Sequence, residues 1–331
     1  MTLSRRTVLL AGAASTAICL SGVASAAALK IRISSPAVDS DWHAKMLYVF
    51  KEELEKSAPG EFDVEVHLNG VLFKQGTEPP AMQRGNLDMA MISAFDIAKQ
   101  IPSWSVFTAG YLIRDPDHQN KVFDGAIGKE YYKLVEDKMG IKILTVAYLG
   151  TRQINLRGKK KITTPADLAG VKLRMPGSDA WLFLGQALGA TPTPMAFTEL
   201  YTALQSGAID GQDNPLPTNR AAKFYEVTNQ IVLTDHLVDA IYLSMSGQTW
   251  KKLSDAQKQK VMAAALKARQ YNNENRIKDE KELVAFFKKE GLDVYAPDVA
   301  AFRKHVQEAY LKSPFAKDWA AGIVDKVNAV K

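Results

Sequence analysis

The chain has 331 residues, of which 47% are hydrophobic and 24% charged, with a formal net charge of +6. That length exceeds one minimal core and suits two α/β lobes. Lys159–Lys161 is the only basic run. The charge therefore lacks the clustered stripe of a nucleic-acid binder and lends slight support to an anionic ligand.

Met1–Arg6 carries two positive charges, and Thr7–Leu29 is uncharged and rich in Ala, Leu, Val and Gly. Ala24-Ser25-Ala26 fits the small-x-small cleavage rule. Residues 1–26 thus read as a secretory signal rather than a retained anchor. Ser4-Arg5-Arg6 is the twin-arginine pattern, which predicts export of the folded chain to the periplasm. Cys19, the single cysteine, lies in this leader, after an Ile18 too large for the usual lipid-attachment signal. Of 42 basic residues, removal of Arg5 and Arg6 leaves 40 against 36 acidic, a net charge of +4. The mature chain then has no thiol, which removes disulfides, cysteine nucleophiles and thiolate metal sites together.

Beyond the leader, Ala28–Ser34 alternates as a strand and Trp42–Ser57 is an amphipathic helix. Phe62–Leu68 is a second strand. Glu78–Arg84 is a short helix that tolerates Pro79 and Pro80 in its first turn. Gly85 ends it before a buried strand, Leu87–Ile92. One helix is expected over His118–Met139, closed by Gly140, then a strand over Ile141–Leu149. The second half repeats in kind. Val171–Met175 reads as a strand, Ser178–Leu188 as a helix capped by Ser178, and Phe197–Gln205 as another helix. Ala208–Gly211 starts a strand. Separate strands follow at Ile231–Thr234 and Ala240–Met245. Asp255–Gly291 is a long helical pattern with a break expected near Asn272–Asn275, and Asp298–Lys312 is helical again. Strands alternating with helices predict an α/β fold.

Met82-Gln83-Arg84-Gly85-Asn86-Leu87-Asp88 and Leu204-Gln205-Ser206-Gly207-Ala208-Ile209-Asp210 share one layout. Each is a helix end, a glycine suited to the left-handed stop, and a strand with an aspartate near its start. Two lobes built on one plan would produce this echo.

Signatures of catalysis are missing from the sequence. It contains no His-Glu-x-x-His, phosphate loop, Gly-x-Ser-x-Gly elbow or dinucleotide glycine pattern. His43, His67, His118, His236 and His305 are scattered without ligand spacing. The expectation is a protein that is not an enzyme and takes no cofactor or metal. Ser93 and His236 are the weak candidates for a catalytic base should it turn over an acid.

Arg174 ends a strand before a Met175-Pro176 break. Side chains at that end of an open α/β sheet face the ligand crevice. Its planar fork matches a carboxylate with two parallel hydrogen bonds. The alternative is a surface arginine paired to Asp179 or Glu199.

The block Gly150-Thr151-Arg152-Gln153, Lys172-Leu173-Arg174-Met175-Pro176, Gly189-Ala190-Thr191-Pro192-Thr193-Pro194-Met195-Ala196-Phe197 and Asp210-Gly211-Gln212-Asp213-Asn214-Pro215 carries a resemblance. In order and spacing it resembles the DctP-like solute-binding proteins of TRAP transporters, most of all their sialic-acid-binding branch. The resemblance implies a two-lobed periplasmic-binding-protein (Venus flytrap) fold with a long helix spanning both lobes. Lobe I is expected over 27–150 plus about 239–282, and lobe II over 151–238 plus about 283–331. The implied role is capture of a small organic acid (sugar acid, hydroxy acid or dicarboxylate) for an ion-gradient-driven TRAP permease. A monomer is expected rather than a dimer. The rivals are a ligand-sensing partner of a signalling receptor and an exported enzyme.

By this resemblance Arg174 is the principal carboxylate-binding arginine, Arg152 the second, and Asn214 an amide on the same carboxylate. Phe197 is a pocket wall or core residue, and His236 lies near the hinge. The other lobe departs from the sialic-acid pattern. Ser93 stands where that branch has a glutamate, Ser34 where it has an asparagine, and Lys74 or Gln75 where it has an acid. These departures argue against sialic acid. A Lys74 inside the cleft would favour dianions, and one facing solvent would favour acids with a neutral tail.

Overall fold

The computed structural model describes residues 27–331. The leader and its twin-arginine motif lie outside the described residues. β1 (Leu29–Ser34) and β2 (Phe62–His67) pair in parallel across the helix Trp42–Ser57. β3 (Met89–Ser93) joins the other edge of β1, also in parallel. β4 (Ile141–Leu156) follows, then β5 (Lys172–Met175), β6 (Thr191–Pro194), β7 (Gly211–Pro215), β8 (Gln230–Ser246) and β9 (Asp293–Tyr295). The strand order is β2-β1-β3-β8-β4-β7-β5-β6, with β9 paired to β8. β4 and β8 are long antiparallel partners. One end of this pair carries β3, and the other carries β7 and β9. The two strands therefore pass from one lobe into the other, and any change of lobe angle must bend them.

The repeated layout is realised at both places. Gly85 and Gly207 take the left-handed conformation, with φ of 76° and 80°. Asp88 Oδ2 accepts from the Arg32 N–H of β1 at 3.1 Å, and Asp210 Oδ2 from the Lys172 N–H of β5 at 2.8 Å. Each aspartate thus bonds the backbone of the neighbouring parallel strand, Asp88 at mid-β1 and Asp210 at the start of β5.

Four expectations need correction. The region His118–Met139 is two helices, Pro116–Asp124 and Ala126–Met139, broken at Gly125. A Cβ at Gly125 would meet the Lys121 carbonyl oxygen at 2.6 Å. β4 continues seven residues beyond Leu149, because the Gly150–Gln153 motif is itself strand. The two strands expected near 231 and 245 are the single strand β8.

The helix Asp255–Lys289 is unbroken through its asparagines. Asn272 and Asn273 are buried and turned inward. Asn273 Oδ1 accepts from the Tyr148 N–H at 2.8 Å, and Asn272 Nδ2 donates to the Tyr148 carbonyl at 2.9 Å. Polar residues mid-helix are thus spent on the backbone of β4 at a register shift between Tyr148 and Gly150. At 35 residues this helix is about 52 Å long. Val261, Ala264, Ala265 and Ala268 pack with Ile31 and Leu47 of the first lobe. Leu283 and Phe287 pack with Leu216, Ile231 and Val294 of the second.

Candidate functional site

A cavity lies where the lobes meet. It is lined from the second lobe by Arg152, Trp181, Phe197 and Asn214, and from the first by Ser35, Gln75, Glu78 and Ser93.

Arg152 projects from β4 and is buried, so its charge requires partners. Nε donates to Asp239 Oδ2 at 2.6 Å. Nη1 donates to the Asp213 carbonyl at 2.9 Å and approaches Asp213 Oδ2 at 3.3 Å and Asn214 Oδ1 at 3.5 Å. Its guanidinium carbon lies 4.2 Å from the Trp181 ring centroid. Nη2 has no partner among the described residues. Burial alone would raise the Asp213 carboxyl, but Arg152, His236 and Arg174 hold it below the usual carboxylate range. Burial does raise Asp239, because Arg152 is its sole cationic partner and Asp213 repels it.

Arg174, near the end of β5, is 1% exposed and lies behind the cavity lining. Neither Asp179 nor Glu199 makes an ion pair with it. Nε donates to the Met195 carbonyl and Nη2 to Gln75 Oε1, both at 2.9 Å. Burial pushes its guanidinium down to about 9, so it stays charged at neutral pH. Two of its five N–H donors are used by the chain, and three remain.

Asn214 lies in β7 opposite Gln153 of β4. Its Nδ2 donates to Gln212 Oε1 at 2.6 Å, and Gln212 Nε2 donates on to Asn219 Oδ1 at 2.7 Å. Phe197 lines the cavity and packs edge-on against Phe224, with centroids 5.6 Å apart. It is therefore both wall and core edge.

His236 is fully buried and does not line the cavity. Its Nδ1 lies 2.7 Å from Thr234 Oγ1 and its Nε2 3.1 Å from Asp213 Oδ2. It reaches the cavity only through Asp213 and Arg152. In the first lobe, Ser93 lines the cavity and caps the helix Ala94–Ala98, donating its hydroxyl to Asp96 Oδ2 at 2.8 Å. Ser34 is fully buried outside the lining, and its neighbour Ser35 lines the cavity instead. Lys74 is exposed and does not line this cavity, whereas Gln75 does.

Sequence reasoning missed Glu78, Asp41 and His43, which also line the cavity. Burial raises the Glu78 carboxyl to about 8 and lowers the His43 imidazole to about 3, so both are neutral at pH 7. Asp41 Oδ1 pairs with Arg276 Nη2 of the long helix, and Asp41 Oδ2 accepts from Thr218 Oγ1 of the second lobe at 3.2 Å. Asp41 caps the helix Trp42–Ser57, its Oδ1 accepting from the His43 N–H at 3.0 Å. Its other partners are 177 and 235 residues away in sequence, and no local pattern signals them.

Among the described residues there is no cluster of metal-ligating side chains and no helix long and apolar enough to cross a membrane. The model of "Bacterial extracellular solute-binding protein, family 7" matches residues 34–317. The chain is 32% identical over 287 residues to the sialic acid-binding periplasmic protein of Vibrio cholerae, covering 87% of each. It is similar to the structure of a TRAP periplasmic solute-binding protein from Roseobacter denitrificans with bound 3-deoxy-D-manno-oct-2-ulosonic acid. That comparison gives a TM-score of 0.89 and 48% identity over 92% of this chain and all of the other. A second R. denitrificans protein of this kind, with bound L-galactonate, matches with a TM-score of 0.84 and 30% identity, over 91% and 98% of the two chains. Taken with the cleft between two α/β lobes and the buried arginines on β4 and β5, these matches show that the chain belongs to family 7 of the bacterial extracellular solute-binding proteins, the periplasmic receptors of TRAP transporters.

Proposed function

We propose that this protein captures a monocarboxylate with a hydroxylated body, a sugar acid, and presents it to a TRAP permease without chemical turnover. The observation that carries this reading is the asymmetry of the cavity. Its second-lobe end has the Arg152 guanidinium in the lining and the buried Arg174 guanidinium directly behind it, each with unspent donors. Its first-lobe end has Glu78, Ser93, Ser35 and Gln75 with the carboxylates Asp41 and Asp96, and no lysine or arginine. A carboxylate gains charge-assisted hydrogen bonds at the first end. Hydroxyls find donors and acceptors at the other. A second carboxylate there would be buried unpaired, which is costly. The solvent-facing Lys74 supports the same choice.

Arg174 is the carboxylate anchor in this reading, Arg152 and Asn214 assist, and Phe197 and Trp181 form the walls. His236 orients Arg152 through Asp213, and Ser93 reads a hydroxyl. We assign 27–150 and about 239–282 to one lobe and 151–238 with most of 283–331 to the other. The C-terminal segment from Pro314 is better assigned to the first lobe. In support, Trp319 Nε1 donates to Ser105 Oγ at 2.9 Å and His118 Nε2 lies 2.9 Å from the Val327 carbonyl. The receptor acts as a monomer exported through its Ser4-Arg5-Arg6 leader.

The test is a thermal-shift screen of the mature protein. A ligand at about 100 times its dissociation constant adds about 2.7 kcal/mol of stability. Stabilisation by 3-deoxy-D-manno-octulosonate or L-galactonate, and none by succinate, is expected. The reading fails if no sugar acid stabilises the protein.

A further inference from the structure

The loop from Asn69 to Thr77 follows β2 and approaches the second lobe at Gly70 and at Gln75. A Cβ on Gly70 would rest against Thr198 Cγ2 at 3.4 Å. Further along, Gln75 Oε1 accepts two hydrogen bonds at once, from Arg174 Nη2 at 2.9 Å and from the Phe197 N–H at 3.0 Å. Both partners are donors only, so the amide orientation is fixed with oxygen toward them. Gln75 Nε2 has no partner among the described residues and is left to donate to a ligand oxygen. Outside the cavity lies a second, open depression. The two share Gln75, Gly76, Asp96 and Trp181, which therefore form the partition between ligand space and solvent.

We propose that Gln75 is the latch of the cleft: it closes the first lobe onto the carboxylate-binding arginine itself, so that the group holding the ligand's charge also holds the door. This rests on the carboxylate reading above and adds the residue that sets ligand residence. The latch must be neutral. A glutamate at 75 would ion-pair with Arg174 and compete with the ligand carboxylate, whereas an amide oxygen takes one N–H and leaves the charge available. Two donors of Arg174 are committed to Met195 and Gln75, and the remaining three suffice for a two-point grip on a carboxylate. Because the bonds to Gln75 exist only when the lobes meet, they resist dissociation and contribute nothing to first encounter.

The experiment uses the mature protein with Gln75→Ala and Gln75→Glu, and 3-deoxy-D-manno-octulosonate as the probe in stopped-flow measurements. Gln75→Ala should speed dissociation about tenfold or more, the scale of one hydrogen bond to a charged group. Association should stay within about twofold, since affinity changes fall mostly in the off-rate. Gln75→Glu should lose more affinity than Gln75→Ala, with a slower association. Unliganded melting temperatures guard against general misfolding.

A second readout needs no ligand. The mature chain has no cysteine, so spin labels at Lys56→Cys and Lys159→Cys, both exposed, report lobe separation. Gln75→Ala should shift that separation toward the open form. An unchanged off-rate or an unchanged separation overturns the latch. Failure of the wild type to bind any sugar acid instead overturns the carboxylate reading, and the label distances still decide the latch.

Discussion

Arg152 lies over the Trp181 indole, its guanidinium carbon 4.2 Å from the ring centroid. Phe95 of the first lobe stacks on the same indole at 3.4 Å and 8°. Both cannot occupy one face, so the indole is held between the two. This stack ties the lobes together and also fixes the plane in which Arg152 offers its free Nη2. Trp181→Ala should therefore lower stability by about 3–5 kcal/mol and weaken sugar-acid binding at least tenfold, about the strength of a desolvated cation–π contact. Trp181→Phe should recover most of both. Urea unfolding and calorimetry check this, and an affinity unchanged in Trp181→Ala would remove Trp181 from the site.

Gly150 sits where β4 passes between the lobes, with φ of +127°, a region that side chains rarely adopt. A Cβ there would meet Pro215 Cβ at 2.5 Å and Glu280 Oε1 at 2.6 Å. Glu280 Oε1 is already used by the Thr151 N–H at 2.8 Å. Gly150→Ala is expected to destabilise the protein by about 1–3 kcal/mol and to leave the cleft more open in small-angle scattering. A melting temperature equal to that of wild type would show that this crossing is not strained.

Glu78 makes stability depend on pH in an unusual direction. Burial raises its folded pKa to about 8, above its ordinary value. Between those limits the folded state holds a proton that the unfolded state has lost. Stability therefore falls as pH rises through this window, by at most about 1.4 kcal/mol per unit for one proton. Glu78→Gln should flatten that slope and gain most at pH 8. Urea midpoints at pH 5, 6.5 and 8 test it, and identical slopes in the two proteins would contradict it.

Much of the architecture was legible because it is written locally. The helix Trp42–Ser57 follows from its apolar spacing. The paired glycine stops at Gly85 and Gly207 follow from a layout that only two equivalent αβ turns require. Arg152, Asn214 and Phe197, which stand in contiguous motifs, line the cavity, and Arg174 lies behind it.

What stayed hidden depends on long-range partners. Asn272 and Asn273 look like helix breakers until the backbone of Tyr148 is set beside them. The two halves of β8 look separate because Asp235-His236 interrupts the apolar run. His236 pairs with Asp213 from another strand, and Gln153 donates to Asp235 Oδ1 at 2.6 Å. Glu78 reads as an ordinary first-turn acid, and only the closed cleft around it buries the carboxyl.

The central claim is that a carboxylate is held by the fork of Arg174. Isothermal titration of the mature wild type, Arg174→Lys and Arg174→Ala with 3-deoxy-D-manno-octulosonate and L-galactonate tests it most directly. The account predicts binding by wild type to at least one of these acids. It predicts a loss of about 10–100-fold in Arg174→Lys, which keeps the charge without the two-point geometry, and a larger loss in Arg174→Ala. Wild-type affinity in both variants would contradict it and place the ligand's charge elsewhere.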